Sequence, residues 1–271
     1  MHREQEFLNA ARTGDQETFL NILNDQSINI NPNLADERGN TALIQAAGNG
    51  HINIVRALLA DERVDPYQAD EDGRTALMWA AREGHTGIIN MLLADESIDP
   101  NQADEDGRTA LMEAARRGRS NIVCALVADT RVDLNRTNRW GQTALVYAAR
   151  RGHSDTVRAL IDDPRIDFSH AGQAKMAIIL ATKHEHDKTL SLLLRFSGQR
   201  LSAGEIDNLA NSDQGFYKSI LNRLRRARFR GIVRAIMVFR RMRLRAAEAV
   251  YAPGGTGYAV AADSFASAAA S

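Results

Sequence analysis

The chain has 271 residues, 44% hydrophobic but only 6% aromatic, so it can bury one sizeable core or two smaller ones, and its many alanines suit thin, closely stacked helices. A formal net charge of zero hides an asymmetry: residues 1–213 carry 23 basic and 32 acidic side chains, whereas 214–247 carry eleven basic and no acidic ones. A single cysteine excludes a disulfide framework, and no run of about 18 apolar residues exists to span a membrane. The opening stretch Met1–Phe7 lacks the apolar run of a secretory signal, so a cytoplasmic location is expected.

Residues 1–30 read as a degenerate first unit. Phe7 to Asp15 carries an Ala-Ala-x-x-Gly helix and Thr18–Leu23 a second helix, while polar Gln5 and Glu6 stand where later units have Thr-Ala-Leu. Terminal units of a solenoid need a polar outer face, so this departure suits a cap. Four full units follow, led by Gly39, Gly73, Gly107 and Gly141 at a spacing of 34 residues, the mark of stacked supersecondary units.

Each full unit repeats one plan. Thr41, Thr75, Thr109 and Thr143 precede apolar helical runs and can cap them. Paired alanines (46/47, 80/81, 114/115, 148/149) keep the first helix thin, and glycine at 50, 84, 118 and 152 ends it. Apolar pairs four apart, such as Ile88/Ile89 with Leu92/Leu93 and Ile122/Val123 with Leu126/Val127, give the second helix its stripe. Val64 to Gly73 then reads as an extended arm and tight turn, a β-hairpin finger.

A fifth unit is degenerate: Met176–Thr182 replaces the Thr-Ala-Leu helix, and its finger, Phe168 to Gln173, is one residue shorter. Ser202-Ala203-Gly204-Glu205 is a capping box opening a short helix, followed by a basic, apolar-rich helical pattern over 215–247. Val250–Ser271 is a low-complexity tail rich in Gly, Ala and Ser.

The recurring Gly-Arg-Thr-Ala-Leu-Met…Ala-Ala-x-x-Gly-His resembles the ankyrin repeat, with the usual proline and histidine of Thr-Pro-Leu-His replaced. The tetratricopeptide repeat has the same length, but its Trp…Leu-Gly…Tyr spacing is absent. The resemblance covers about residues 5–195 and implies an all-α solenoid of helix–turn–helix units with β-hairpin fingers over 1–195. Residues 196–247 are then a basic helical extension whose start caps the last repeat, and 248–271 a disordered tail. The Asp-Glu-x-Val/Ile-Asp-Pro arms are also similar to those of ankyrin proteins from intracellular bacteria and large viruses, which implies a host cytosol.

What the resemblance implies for function is protein binding through the concave groove and finger tips, without enzymatic activity, cofactor or small-molecule substrate. Matched residue by residue, the tips are Glu37/Arg38, Glu71/Asp72, Glu105/Asp106 and Arg139/Trp140, with Arg74 and Arg108 beside them. The groove column is Gln45, Trp79, Glu113 and Tyr147, and the first helices end in Gly48/Asn49, Arg82/Glu83, Arg116/Arg117 and Arg150/Arg151. Two zones emerge: an acidic ridge at 70–72 and 104–106, and a ladder of Arg82, Arg116 and Arg150. Solubility, and the affinity of arginine for helix C-termini, would account for both zones without a partner. Trp79 and Trp140 are expected to be binding anchors; for Tyr147, anchor and core residue both stay open.

Catalytic patterns are lacking. His51, His85 and His153 are period-spaced turn residues, and His184 and His186, two apart, do not share a helix face. Cys124 falls on the apolar stripe of a second helix without a nucleophile partner, and no phosphate loop or nucleophile elbow is present. The basic segment is a separate feature. Phe229, Ile232, Val233, Ile236 and Met237 share one helical face, with Arg230, Arg234 and Arg241 opposite and Arg225, Arg226, Arg228 and Arg240 nearby. Such a helix suits an anionic membrane, a nucleic acid or a calmodulin-like protein through 216–245, or an intramolecular cap.

Overall fold

In the computed structural model, the described residues are 2–25, 27, 30–167 and 173–200. The chain divides at Ser212, and every described residue lies in the first unit. The expected finger over 168–173 is described only at its last residue, and the expected extension and tail from 201 on lie outside the described residues.

Six helix pairs follow in order: α1 (His2–Thr13) with α2 (Gln16–Leu23), α3 (Ala42–Asn49) with α4 (Ile52–Leu59), and α5 (Ala76–Glu83) with α6 (Thr86–Ala94). Then come α7 (Ala110–Arg117) with α8 (Ser120–Ala128), α9 (Ala144–Arg151) with α10 (Ser154–Ile161), and α11 (Gln173–Lys183) with α12 (Asp187–Arg200). Odd-numbered helices stack on one another in one layer and even-numbered helices in a second. The capping threonines act as their position predicts: the hydroxyls of Thr41, Thr75, Thr109 and Thr143 each accept the amide three residues on, at 3.2–3.4 Å.

The alanine pairs of all four full repeats are fully buried, which lets the first helices approach closely. Ile54, Val55 and Leu58, with their counterparts at 34-residue intervals, fill the second layer. Phe7 stacks on Phe19 at 4.6 Å and closes the core of the first unit, and helix α1 runs back through Gln5 and Glu6 to His2. Cys124 departs from expectation: its position on α8 turns it outward, and it is exposed rather than part of the buried stripe.

Two further devices tie repeats to those before them, the first in every unit but the third repeat, where Arg119 holds the histidine position. The residue after the helix-ending glycine sends an imidazole back to the preceding first helix: His51 to the Arg12 carbonyl, His85 to Gly48, His153 to Arg116 and His186 to Arg150, at 3.0–3.2 Å. In the fifth unit the glycine itself is missing, and Glu185 adopts the left-handed conformation (φ 64°) that Gly84 takes in the second repeat (φ 102°). On the second layer, Arg131 is held by Asp129 and reaches the carbonyls of Leu93, in the last turn of α6, and of Glu96 and Ile98 just past its end. Arg165 with Asp163 does the same at the end of α8, reaching Val127 in its last turn and Asp129 and Val132 beyond it. These arginine hydrogen bonds hold the Asp129 and Asp163 carboxyls below their usual range.

One position breaks the apolar pattern. Thr156 stands where earlier repeats have Ile54, Ile88 and Ile122, and its buried hydroxyl oxygen has no partner among the described residues. Replacing it with the isosteric Thr156→Val removes that polar burial and is expected to raise unfolding stability by about 1–3 kcal/mol in chemical denaturation. A loss of stability would show that the hydroxyl is bonded.

Candidate protein-binding groove

The groove is built by the turn residues of the fingers. Asp36, Asp70, Asp104 and Asn138 each use one side-chain oxygen to accept the amides two and four residues on, at 2.7–3.1 Å. This closes the finger as an Asx turn. The second oxygen or nitrogen reaches the first helix, nine residues on. Gln45 Nε2 donates to Asp36 (3.1 Å), Trp79 Nε1 donates to Asp70 (2.9 Å), and Asn138 Nδ2 donates to the Tyr147 hydroxyl (2.9 Å).

In the third repeat both positions are acidic, Asp104 and Glu113, and both are buried. The Arg108 guanidinium bridges them, at 2.8 Å from Asp104 and 3.5 Å from Glu113, and Arg116 binds the other Glu113 oxygen at 2.7 Å. Burial alone would lower the pKa of Arg108; its contacts with Asp104 and Glu113 more than compensate and raise it.

The expected groove column therefore divides. Tyr147 and Glu113 are buried struts, not exposed anchors, because each completes the hydrogen bonding of its finger. Trp79 is half-buried: its N–H is engaged by Asp70, and the Arg74 and Arg82 guanidinium groups lie over its ring at 4.6 and 4.9 Å. Asp70 and Asp104 likewise leave the acidic ridge for the interior. The ridge that remains consists of exposed Glu71, Asp72 and Glu105, with Asp106 half-buried between Arg108 (3.1 Å) and Arg139 (2.5 Å). Arg74, paired with Asp70 and Asp72, and Arg108 are held within their own fingers.

The tips form one continuous chain. The amides of Glu71, Glu105 and Arg139 donate to the carbonyls of Arg38, Asp72 and Asp106 of the preceding finger, each at 3.0 Å. Gly73 is required here twice over, since its φ is +78° and a Cβ would stand 3.0 Å from the Glu105 amide. Trp140, at the last described tip, is 52% exposed with Arg139 over its ring at 4.3 Å.

On the other wall, the ladder of first-helix ends is basic in every unit but one: Arg12, Gly48, Arg82, Arg116, Arg150 and Lys183. Arg117, Arg150 and Arg151 are exposed, and none has an ion pair among the described residues; Glu83 pairs with Arg82 at 3.3 Å. At the exceptional rung, Gly48 leaves space before the Trp79 ring. A cleft of about 540 Å³ opens there, lined by Asp36, Arg38, Asn40, Gln45, Asn49 and Glu83 besides those two. The described residues contain no cluster of His, Cys, Asp and Glu suited to a metal and no helix long and apolar enough to cross a membrane. Arg225, Arg226, Arg228, Arg230, Arg234, Arg240 and Arg241, expected to meet a polyanion or membrane, lie outside the described residues.

Stacked two-helix units joined by Asx-turn fingers define a repeat scaffold that presents its surfaces to partners. The family model for ankyrin repeats in three copies matches residues 7–104, 63–138, 92–171 and 130–205, and the chain belongs to the ankyrin-repeat family. Comparison with curated proteins returned no match. Ankyrin repeats are generally protein–protein interaction modules and typically non-enzymatic scaffolds.

The His153 tie gives this frame a pH dependence. Burial, with Arg151 and His186 nearby, drives the His153 pKa below its ordinary value, although the Arg116 carbonyl works the other way. The folded state therefore prefers the neutral ring, and the unfolded chain takes up its proton first as pH falls below about 6.5. His153 thus supports stability above that pH and loses this support below it. Thermal melts at about pH 7.5 and pH 5 are expected to differ less for His153→Gln than for the unaltered protein. An equal or larger drop in the variant would contradict this.

Proposed function

We propose that the protein is an interaction module that seats a segment of a partner protein between its fingers and first helices, with the cleft before Trp79 as the principal pocket. The observation that carries this reading is the gap at Gly48. The rung that holds Arg82, Arg116 and Arg150 in later repeats has no side chain there, and a half-exposed indole forms one wall of the space left. A volume of about 540 Å³ lies in the range of ligand pockets, large enough for an apolar or aromatic side chain of a partner. The buried Gln45 Oε1 beside it has no hydrogen-bond partner among the described residues. Tryptophan flanked by polar groups is the residue type most often found at the energetic centre of an interface.

A single substitution separates fold from function. Gly48→Arg restores the rung of the other repeats; a Cβ at 48 lies 3.6 Å from Trp79 Cβ, ordinary contact, and glycine is a poor helix former by about 1 kcal/mol. The variant is expected to melt no lower than the unaltered protein while binding peptides selected on the unaltered groove at least tenfold more weakly. Equal affinity in fluorescence polarisation would remove the cleft from the interface.

A further inference from the structure

We infer that the partner segment is acidic and lies along the arginine ladder, its carboxylates on Arg82, Arg117, Arg150 and Arg151. This rests on the groove reading above and specifies its partner. The common reason for arginine at a helix C-terminus is to satisfy the last carbonyls, and in α7 and α9 most of that work is already done. Backbone amides of Gly84, Gly118 and Gly152 and of the residues after them occupy the carbonyls of Ala80, Ala114, Ala115, Ala148 and Ala149. The carbonyls of Arg116 and Arg150 themselves accept the rings of His153 and His186. No ladder arginine makes a hydrogen bond to a helix-end carbonyl among the described residues.

Three of these four cations also lack counter-charge among the described residues. Glu113, the one acidic side chain in the groove column, is buried and taken up by Arg108 and Arg116. Arg117, Arg150 and Arg151 are exposed and unpaired among the described residues, although residues 1–213 as a whole are acidic by 32 side chains to 23. Arg82 is half-buried and incompletely satisfied. Its guanidinium lies over Trp79, and its Nε is buried with no hydrogen-bond partner, even with Glu83 at 3.3 Å. Burial and then Arg117 weaken its hold on a proton, so an incoming anion would relieve both.

The surroundings favour a protein over a polyphosphate. Exposed Glu71, Asp72 and Glu105 stand on the fingers, and the ion pairs from Asp106 through Arg108 and Glu113 to Arg116 connect that wall to the ladder. A nucleic acid or an anionic bilayer presents charge of one sign and meets repulsion there. A peptide can place carboxylates on the ladder and amides or basic groups on the finger side, with an apolar side chain before Trp79.

The test uses the full chain and a random 12-residue peptide library, with hydrogen exchange locating whatever is selected. Peptides that protect α5, α7 and α9 are expected to be enriched in Asp and Glu and to lose affinity as salt rises. They should bind the Arg117→Glu/Arg151→Glu variant at least tenfold more weakly, and that variant should melt as the unaltered protein does, since neither arginine is paired. A variant with Arg225, Arg226, Arg240 and Arg241 changed to Glu should bind them as well as the unaltered chain. Groove-protecting peptides without acidic enrichment, or indifferent to the double substitution, overturn this inference and leave the groove reading standing. Selected peptides that protect other surfaces overturn both. Tighter ladder-dependent binding of a 20-nucleotide RNA or of phosphatidylserine vesicles than of any acidic peptide overturns the assignment of the partner as protein.

Discussion

A buried carboxylate with two oxygens and two tasks organises this protein. Asp70 closes its finger with one oxygen and holds the first helix with the other, through the Trp79 indole. A charge this far from water persists only if its lone pairs are filled, so the finger and the helix cannot move apart without leaving an unpaired ion. The same constraint recurs with different chemistry: Asp36 with Gln45, Asn138 with Tyr147, and Asp104 with Glu113 through Arg108. Where the helix supplies a donor the turn residue is an acid. Where it supplies a hydroxyl able to accept, the turn residue is an amide, and where it supplies another acid a guanidinium is placed between.

Everything between repeats reinforces that local frame. Finger amides bond the preceding finger, imidazoles bond the preceding first helix, and Arg131 and Arg165 bond the segments that follow the preceding second helix. One to three such ties at each interface, added to the buried alanine and leucine layers, make each repeat depend on its neighbour. On the groove side, the side chains not drawn into these ties include the tip acids, Trp140, the ladder arginines and those lining the cleft before Trp79. In the proposed reading, recognition is concentrated in those positions, and the charge of the ladder selects what can sit there.

Most of the fold was legible in the sequence because each feature has a local cause. Threonine caps, alanine pairs and helix-ending glycines are fixed by backbone sterics and hydrogen-bonding needs, and they recur at one spacing. The candidate site was half legible. Periodicity located the column of Gln45, Trp79, Glu113 and Tyr147, but it could not tell an exposed anchor from a strut, because burial there depends on a partner nine residues upstream. The pairing of residue types at positions 70 and 79, or 138 and 147, is itself a sequence signal: acid with donor, amide with hydroxyl. Cys124 was misplaced for a simpler reason, that a small thiol counts as apolar in a periodic pattern while standing on an outward face. The vacancy at Gly48 gains meaning only once the Trp79 ring is seen beside it.

The pairwise matching of finger and helix is most directly tested by a double-mutant cycle in the second repeat. Asp70→Asn keeps the turn closed but sets an amide N–H₂ against the indole N–H. Adding Trp79→Tyr recreates the pair found at Asn138 and Tyr147. Unfolding free energies of the two single variants and the double variant are expected to show a favourable coupling of about 0.5–3 kcal/mol, with the tyrosine recovering part of the loss caused by asparagine. Additivity within about 0.5 kcal/mol would mean that finger and helix are held independently, and the strut would not be what sets the groove.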